Sequence, residues 1–85
     1  MDEIGTVYTL AKSSNEEVRI YIHNYKRRRY FSVRAYYRDG DKLLPTKKGL
    51  TLRLDLLPEF VKCINQLAKE AREDAYLEPE DQEAA

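Results

Sequence analysis

The apolar positions of the chain change period once. In "VRIYIHNY", Val18, Ile20 and Ile22 fall on one face and Arg19, Tyr21, His23 and Tyr25 on the other. This is the two-residue period of a half-buried strand. "YFSVRAYY" repeats it, with Phe31, Val33 and Ala35 against Tyr30, Ser32, Arg34 and Tyr36. "LTLRL", Leu50 to Leu54, alternates again, and "TVYTL", Thr6 to Leu10, is short and β-prone. "KSSNEE" and "LLPTKKG" read as loops, and Asp39-Gly40 signals a turn. From Leu57 the period becomes helical: Phe60, Val61, Ile64, Leu67, Ala68 and Ala71 form one stripe. The spacing predicts a helix from Leu56 or Leu57 to about Tyr76, with Asp55 as N-cap and Pro58 in its first turn. Residues 1–76 then form one domain. Residues 77–85, "LEPEDQEAA", are an acidic tail with too little to bury and are expected to be disordered.

The predicted order is four strands and then a helix, an α+β chain. Short links favour an antiparallel meander, because parallel pairing needs long crossovers. The helix stripe backs one face of this sheet, and Arg, Tyr, Ser, His and Thr line the other. A chain of 85 residues has a marginal core and often needs a staple. A single cysteine, Cys63, excludes an intramolecular disulfide, and with one histidine, His23, it makes no metal-ligand set. No metal or other cofactor is expected. The remaining staple is a second subunit, so a homodimer through the helices is expected. No apolar run approaches the roughly 20 residues of a membrane span, and no signal-peptide core follows the N-terminus. A reducing compartment, cytosolic or nuclear, is expected.

The zero net charge conceals a division. Glu16 to Arg53 holds eleven Lys/Arg against four Asp/Glu, whereas Leu54 to Ala85 holds three against nine. A basic half carrying most of the seven tyrosines suits a polyanion with π faces. Phosphates take the cations, and unpaired bases stack on the rings. Stacking needs bases outside a duplex, which favours single strands or melted duplex; RNA is a nearby alternative. "KRRR", Lys26 to Arg29, occurs in nuclear-localisation signals, but between two strands it reads as a hairpin surface. His23 reads as a spectator or weak base contact, Cys63 as a boundary thiol, and Asp39 and Asp41 as turn residues. No arrangement points to an enzyme. A protein-interaction module whose basic sheet docks acidic partners is the rival from another class.

"YKRRRYFSVRAYYRDGDKLLPTKKGLTL", preceded by "VRIYIHN" and followed by an amphipathic helix, resembles the positive cofactor four family of transcriptional coactivators. The resemblance covers about Thr6 to Ala71. It implies a homodimer whose curved sheets hold single-stranded DNA with little sequence dependence, in transcription, replication or repair and alongside transcription or replication proteins, cytoplasmic and nucleoid-associated in a bacterium or phage and nuclear in a eukaryote. By position it implies that Tyr25 and Tyr37 stack on bases. It also implies that Lys26, Arg28, Arg34, Lys47 and Lys48 meet the strand. Two departures stand out. Arg27 occupies the hairpin position where the family prefers glycine, and would be strained if that position needs φ > 0. Leu44 falls where eukaryotic members have a lysine.

Overall fold

In a computed structural model, which describes residues 2–73, four strands precede one helix. They are β1 (Asp2–Ala11), β2 (Glu16–Tyr25), β3 (Arg28–Asp39) and β4 (Lys42–Arg53), followed by α1 (Leu57–Glu73). The strands form one antiparallel sheet in sequence order, β1-β2-β3-β4. The expected α+β meander with a closing helix is therefore the fold. The acidic tail and the predicted last helical turn at Tyr76 lie outside the described residues. No helix of the described residues is long and apolar enough to cross a membrane.

Two boundaries differ from the sequence expectation. β1 begins at Asp2, not Thr6, and its pairing shifts between Ile4 and Tyr8, beside Gly5 at φ 71. The predicted loop "LLPTKKG" is strand: β4 runs unbroken through Pro45. Proline lacks an N–H and is tolerated on an edge strand, and β4 is the edge of the sheet. The register slips between Arg34 and Tyr36, which pair with Gly49 and Pro45. Thr46, Lys47 and Lys48 thus form a bulge, the device that bends a strand and re-aims its side chains.

Gly49 is required where that bulge closes. Its φ is 145, and a Cβ there would collide with the Val33 carbonyl oxygen and come within 2.7 Å of Arg34 Cα. The hairpin between β2 and β3 is a two-residue turn, since Tyr25 pairs with Arg28. Its central residues, Lys26 and Arg27, have φ of 49 and 67, the signature of a type I′ turn. The family's glycine preference thus has a conformational cause, and this chain meets it with two cations.

The helix entry also differs. Asp55 does not cap α1. It lies inside a 3-10 turn, Leu54–Leu56, that runs into the helix, and its carboxylate accepts from Arg53 Nη2 at 3.2 Å. Phe60 anchors α1 on the sheet, edge-to-face with Phe31 at 5.3 Å between centroids. Beyond that anchor the apolar stripe is largely uncovered: Ile64 is 48% exposed and Leu67 61%. An apolar groove of about 300 Å³ opens between Ile20, Phe31 and Val33 of the sheet and Leu57, Phe60, Val61 and Ile64.

Candidate nucleic-acid interface

The face of the sheet away from the helix holds two of the most deeply buried side chains of the described residues, although no helix or strand covers it. His23 and Ser32 are each 1% exposed, and Tyr21 is buried beside them. Long twisted strands curl, and their large side chains close over smaller neighbours. His23, expected to be a spectator or weak base contact, is enclosed in a packed polar layer.

That layer is continuous. His23 Nε2 lies 2.8 Å from Ser32 Oγ, and Ser32 Oγ lies 2.7 Å from Thr51 Oγ1. Arg34 Nη2 donates to Thr51 Oγ1 at 3.3 Å, while its Nη1 donates to the Thr46 carbonyl at 3.1 Å. Burial holds the His23 imidazole below its usual pKa; nearby positive charge, including Arg34, acts the same way, and Glu3 opposes it. The ring stays neutral near pH 7 and packs 20° from parallel with Tyr30. On the other side Tyr21 and Tyr36 share a hydroxyl contact of 3.0 Å. Burial, then that contact, pushes the Tyr36 phenol up to about 12. Arg19 lies over the Tyr36 ring, 5.2 Å from its centroid.

Above this floor stand the more exposed groups. Tyr25 ends β2, and with His23, Tyr30 and Thr51 it lines a pocket of about 290 Å³. Lys26 Nζ sits 5.3 Å from the Tyr25 ring centroid, a cation–π contact that places charge beside the stacking candidate. Arg28 opens β3 and borders a cleft of about 400 Å³ with Arg29, Arg53, Leu54 and Asp55. Lys47 and Lys48 are exposed in the β4 bulge, which Thr46 secures. Its hydroxyl donates to the Ala35 carbonyl at 2.7 Å and accepts from the Lys48 N–H at 3.1 Å. Among the described residues Arg28, Arg34, Lys47 and Lys48 have no carboxylate partner, so their charge is available to an outside anion.

Of the residues singled out in the sequence, Tyr25, Arg28 and Arg34 lie on this face, with Lys26 beside Tyr25 and Lys47 and Lys48 exposed in the β4 bulge. Tyr37 does not lie on it. Along β3 the parity of Arg34 passes to Tyr36, and Tyr37 shares the parity of Glu16 and Val18 across the ladder. The structure adds Tyr21, Tyr30 and Tyr36, the Ser32–Thr51 pair, and Arg53. Strand alternation already put most of them on this face. Arg53 lies opposite Tyr30 in the β3–β4 register. Among the described residues no group of His, Cys, Asp or Glu could hold a metal ion.

Known proteins share this arrangement. The family model for Transcriptional Coactivator p15 (PC4) matches residues 12–63. A PC4 homologue from Burkholderia pseudomallei, in its orthorhombic crystal form, is 30% identical with a TM-score of 0.71, covering 78% of this chain and 90% of that one. The bacteriophage T5 homologue of PC4, described as implicated in recombination-dependent DNA replication, shares the fold at 21% identity and a TM-score of 0.69, covering 85% and 83%. MoSub1, solved in complex with single-stranded DNA, is 26% identical with a TM-score of 0.60, covering 87% of each chain. Among curated proteins no relative matches. With more than half its length matched by the family model and the same four-strand, one-helix order, the chain belongs to the PC4 family.

Proposed function

We propose that the protein is a homodimeric, sequence-tolerant single-stranded DNA-binding protein acting in transcription, replication or repair. One observation carries this reading. A curled sheet face combines a packed aromatic layer with cations that have no carboxylate partner among the described residues. Rings offer π faces to unstacked bases, and the cations replace the counterions of phosphates. An intact duplex hides its base faces and gains only the second contribution. That MoSub1 was solved with single-stranded DNA supports the same reading.

The homodimer rests on the other face. The groove between Ile20, Phe31 and Val33 and the helix, with the exposed Ile64 and Leu67 stripe, is apolar surface that one subunit leaves in water. A second copy laid helix to helix covers it, and two sheets then extend the binding face.

Fluorescence anisotropy with single-stranded and duplex oligonucleotides of equal length tests the function. The single strand is expected to bind at least about tenfold tighter at moderate salt, since stacking contributes roughly 1–3 kcal/mol per base. Raising salt weakens both, and replacing Arg34, Lys47 or Lys48 by Ala flattens the slope by about one unit each. Equal or tighter binding to duplex contradicts the proposal. An RNA oligonucleotide of the same sequence, run in parallel, decides which nucleic acid is preferred.

A further inference from the structure

The polar floor of the face contains one unmatched atom. His23 is 1% exposed, its Nε2 contacts Ser32, and its Nδ1 has no hydrogen-bond partner among the described residues. That atom decides the direction of the whole chain of contacts. If Thr51 donated to Ser32 and Ser32 to Nε2, the ring proton would sit on Nδ1, a buried N–H with nothing to bind. Stranding a buried donor is costly and rare. In the opposite direction Nε2–H donates to Ser32 Oγ, and the Ser32 hydroxyl donates to Thr51 Oγ1. Only an unprotonated Nδ1 is then left unpaired. Arg34 Nη2 donates to the same Thr51 oxygen. Thr51 Oγ1 thereby accepts twice, and its own O–H is left without an acceptor among the described residues.

Thr51 is exposed and lines the pocket walled by Tyr25 and Tyr30 and floored by His23. At about 290 Å³ the pocket lies near the lower end of the range for small-ligand sites. Its walls are aromatic, and its polar offering is a hydroxyl proton directed by the floor.

We propose that this pocket is a base-selective subsite that takes one nucleobase through a ring carbonyl oxygen. The His23–Ser32–Thr51 relay makes the Thr51 hydroxyl an obligatory donor. Thymine, cytosine and guanine present a carbonyl oxygen; adenine offers ring nitrogens, which a hydroxyl can also meet. The subsite therefore selects for a base edge that sets an acceptor at Thr51, within an otherwise sequence-tolerant face. His23 and Ser32 are positioning residues, and Thr51 makes the contact.

The proposal rests on the single-strand reading, and the test separates the two. A short oligothymidine is compared by anisotropy with the same oligomer carrying 2,4-difluorotoluene, which keeps the shape of thymine and has no carbonyl oxygen. Both have identical phosphates. The wild-type protein is expected to bind oligothymidine about threefold to tenfold tighter, the size of one hydrogen bond. Thr51→Val, which keeps the side-chain shape, removes the difference, and Thr51→Ser retains it. If Thr51→Val fails to fold, Thr51→Ala serves in its place. Tight, equal binding of both oligomers by the wild type means the hydroxyl meets a phosphate or nothing, and overturns the base-selective subsite alone. A preference that survives removal of the hydroxyl overturns it as well. Binding of both no tighter than to duplex instead sinks the single-strand reading itself.

Discussion

His23 shows what a single position can do in a small sheet. Alternation along β2 put it on the face away from the helix, and composition alone could not show that tyrosines would close over it. Burial keeps its ring neutral, and protonation has to be resisted by the fold. The linkage has a definite sign. The folded pKa lies below the unfolded value of about 6.5, so the unfolded chain binds the proton more readily. The stabilisation from the neutral ring is complete above about pH 6.5 and is lost as pH falls through the folded pKa. Urea titrations between about pH 7.5 and 5.5, at fixed protein concentration, should show stability falling on acidification. His23→Gln should flatten that dependence, and an unchanged slope in the variant would assign it to other groups. Tyr36 and Tyr37 mark the opposite case: adjacent tyrosines cannot share a face of one strand. Resemblance chose Tyr37, whereas Tyr36 shares the parity of Arg34.

At the scale of elements, the strands and helix were legible because each keeps one period over several residues. What was not legible follows from pairing across the sheet. Pro45 suggested a loop, but an edge strand has no neighbour on its outer side to need the missing N–H. The Lys47–Lys48 bulge depends on how β4 meets β3 at Gly49, a contact between residues distant in sequence. The hairpin cations were visible, and so was the absence of glycine at Arg27. The turn type makes that absence costly. A non-glycine residue in the left-handed region costs roughly 1–2 kcal/mol, partly offset by glycine's greater freedom in the unfolded chain. Arg27→Gly should therefore raise stability by about 0.5–1 kcal/mol in denaturant titrations. A loss of stability would mean that Arg27 makes compensating contacts the turn geometry does not reveal.

At the scale of the molecule, two faces divide the work. The helix side carries apolar surface that one subunit does not cover, and the far side carries rings over a polar floor with cations at its rim. Composition shows a charge division along the chain, basic from Glu16 to Arg53 and acidic from Leu54 onward. Burial inverts the simple expectation, since His23 and Ser32 of the far face are enclosed while Ile64 and Leu67 of the helix are open. A chain of 10.0 kDa should sediment at twice that mass at micromolar concentration. Ile64→Asp, which places a charge in the helix contact, should sediment as the monomer and weaken DNA binding. A monomeric wild type would contradict the dimer and leave the apolar groove unexplained.

The central claim is that single-stranded DNA lies on the sheet face away from the helix. Chemical-shift mapping of the amide spectrum during titration with a short oligothymidine tests it most directly. The account predicts that the large changes cluster at Tyr21 to Arg28, Tyr30 to Tyr36 and Thr46 to Arg53. Changes concentrated in Leu57–Glu73, with the sheet undisturbed, would contradict it.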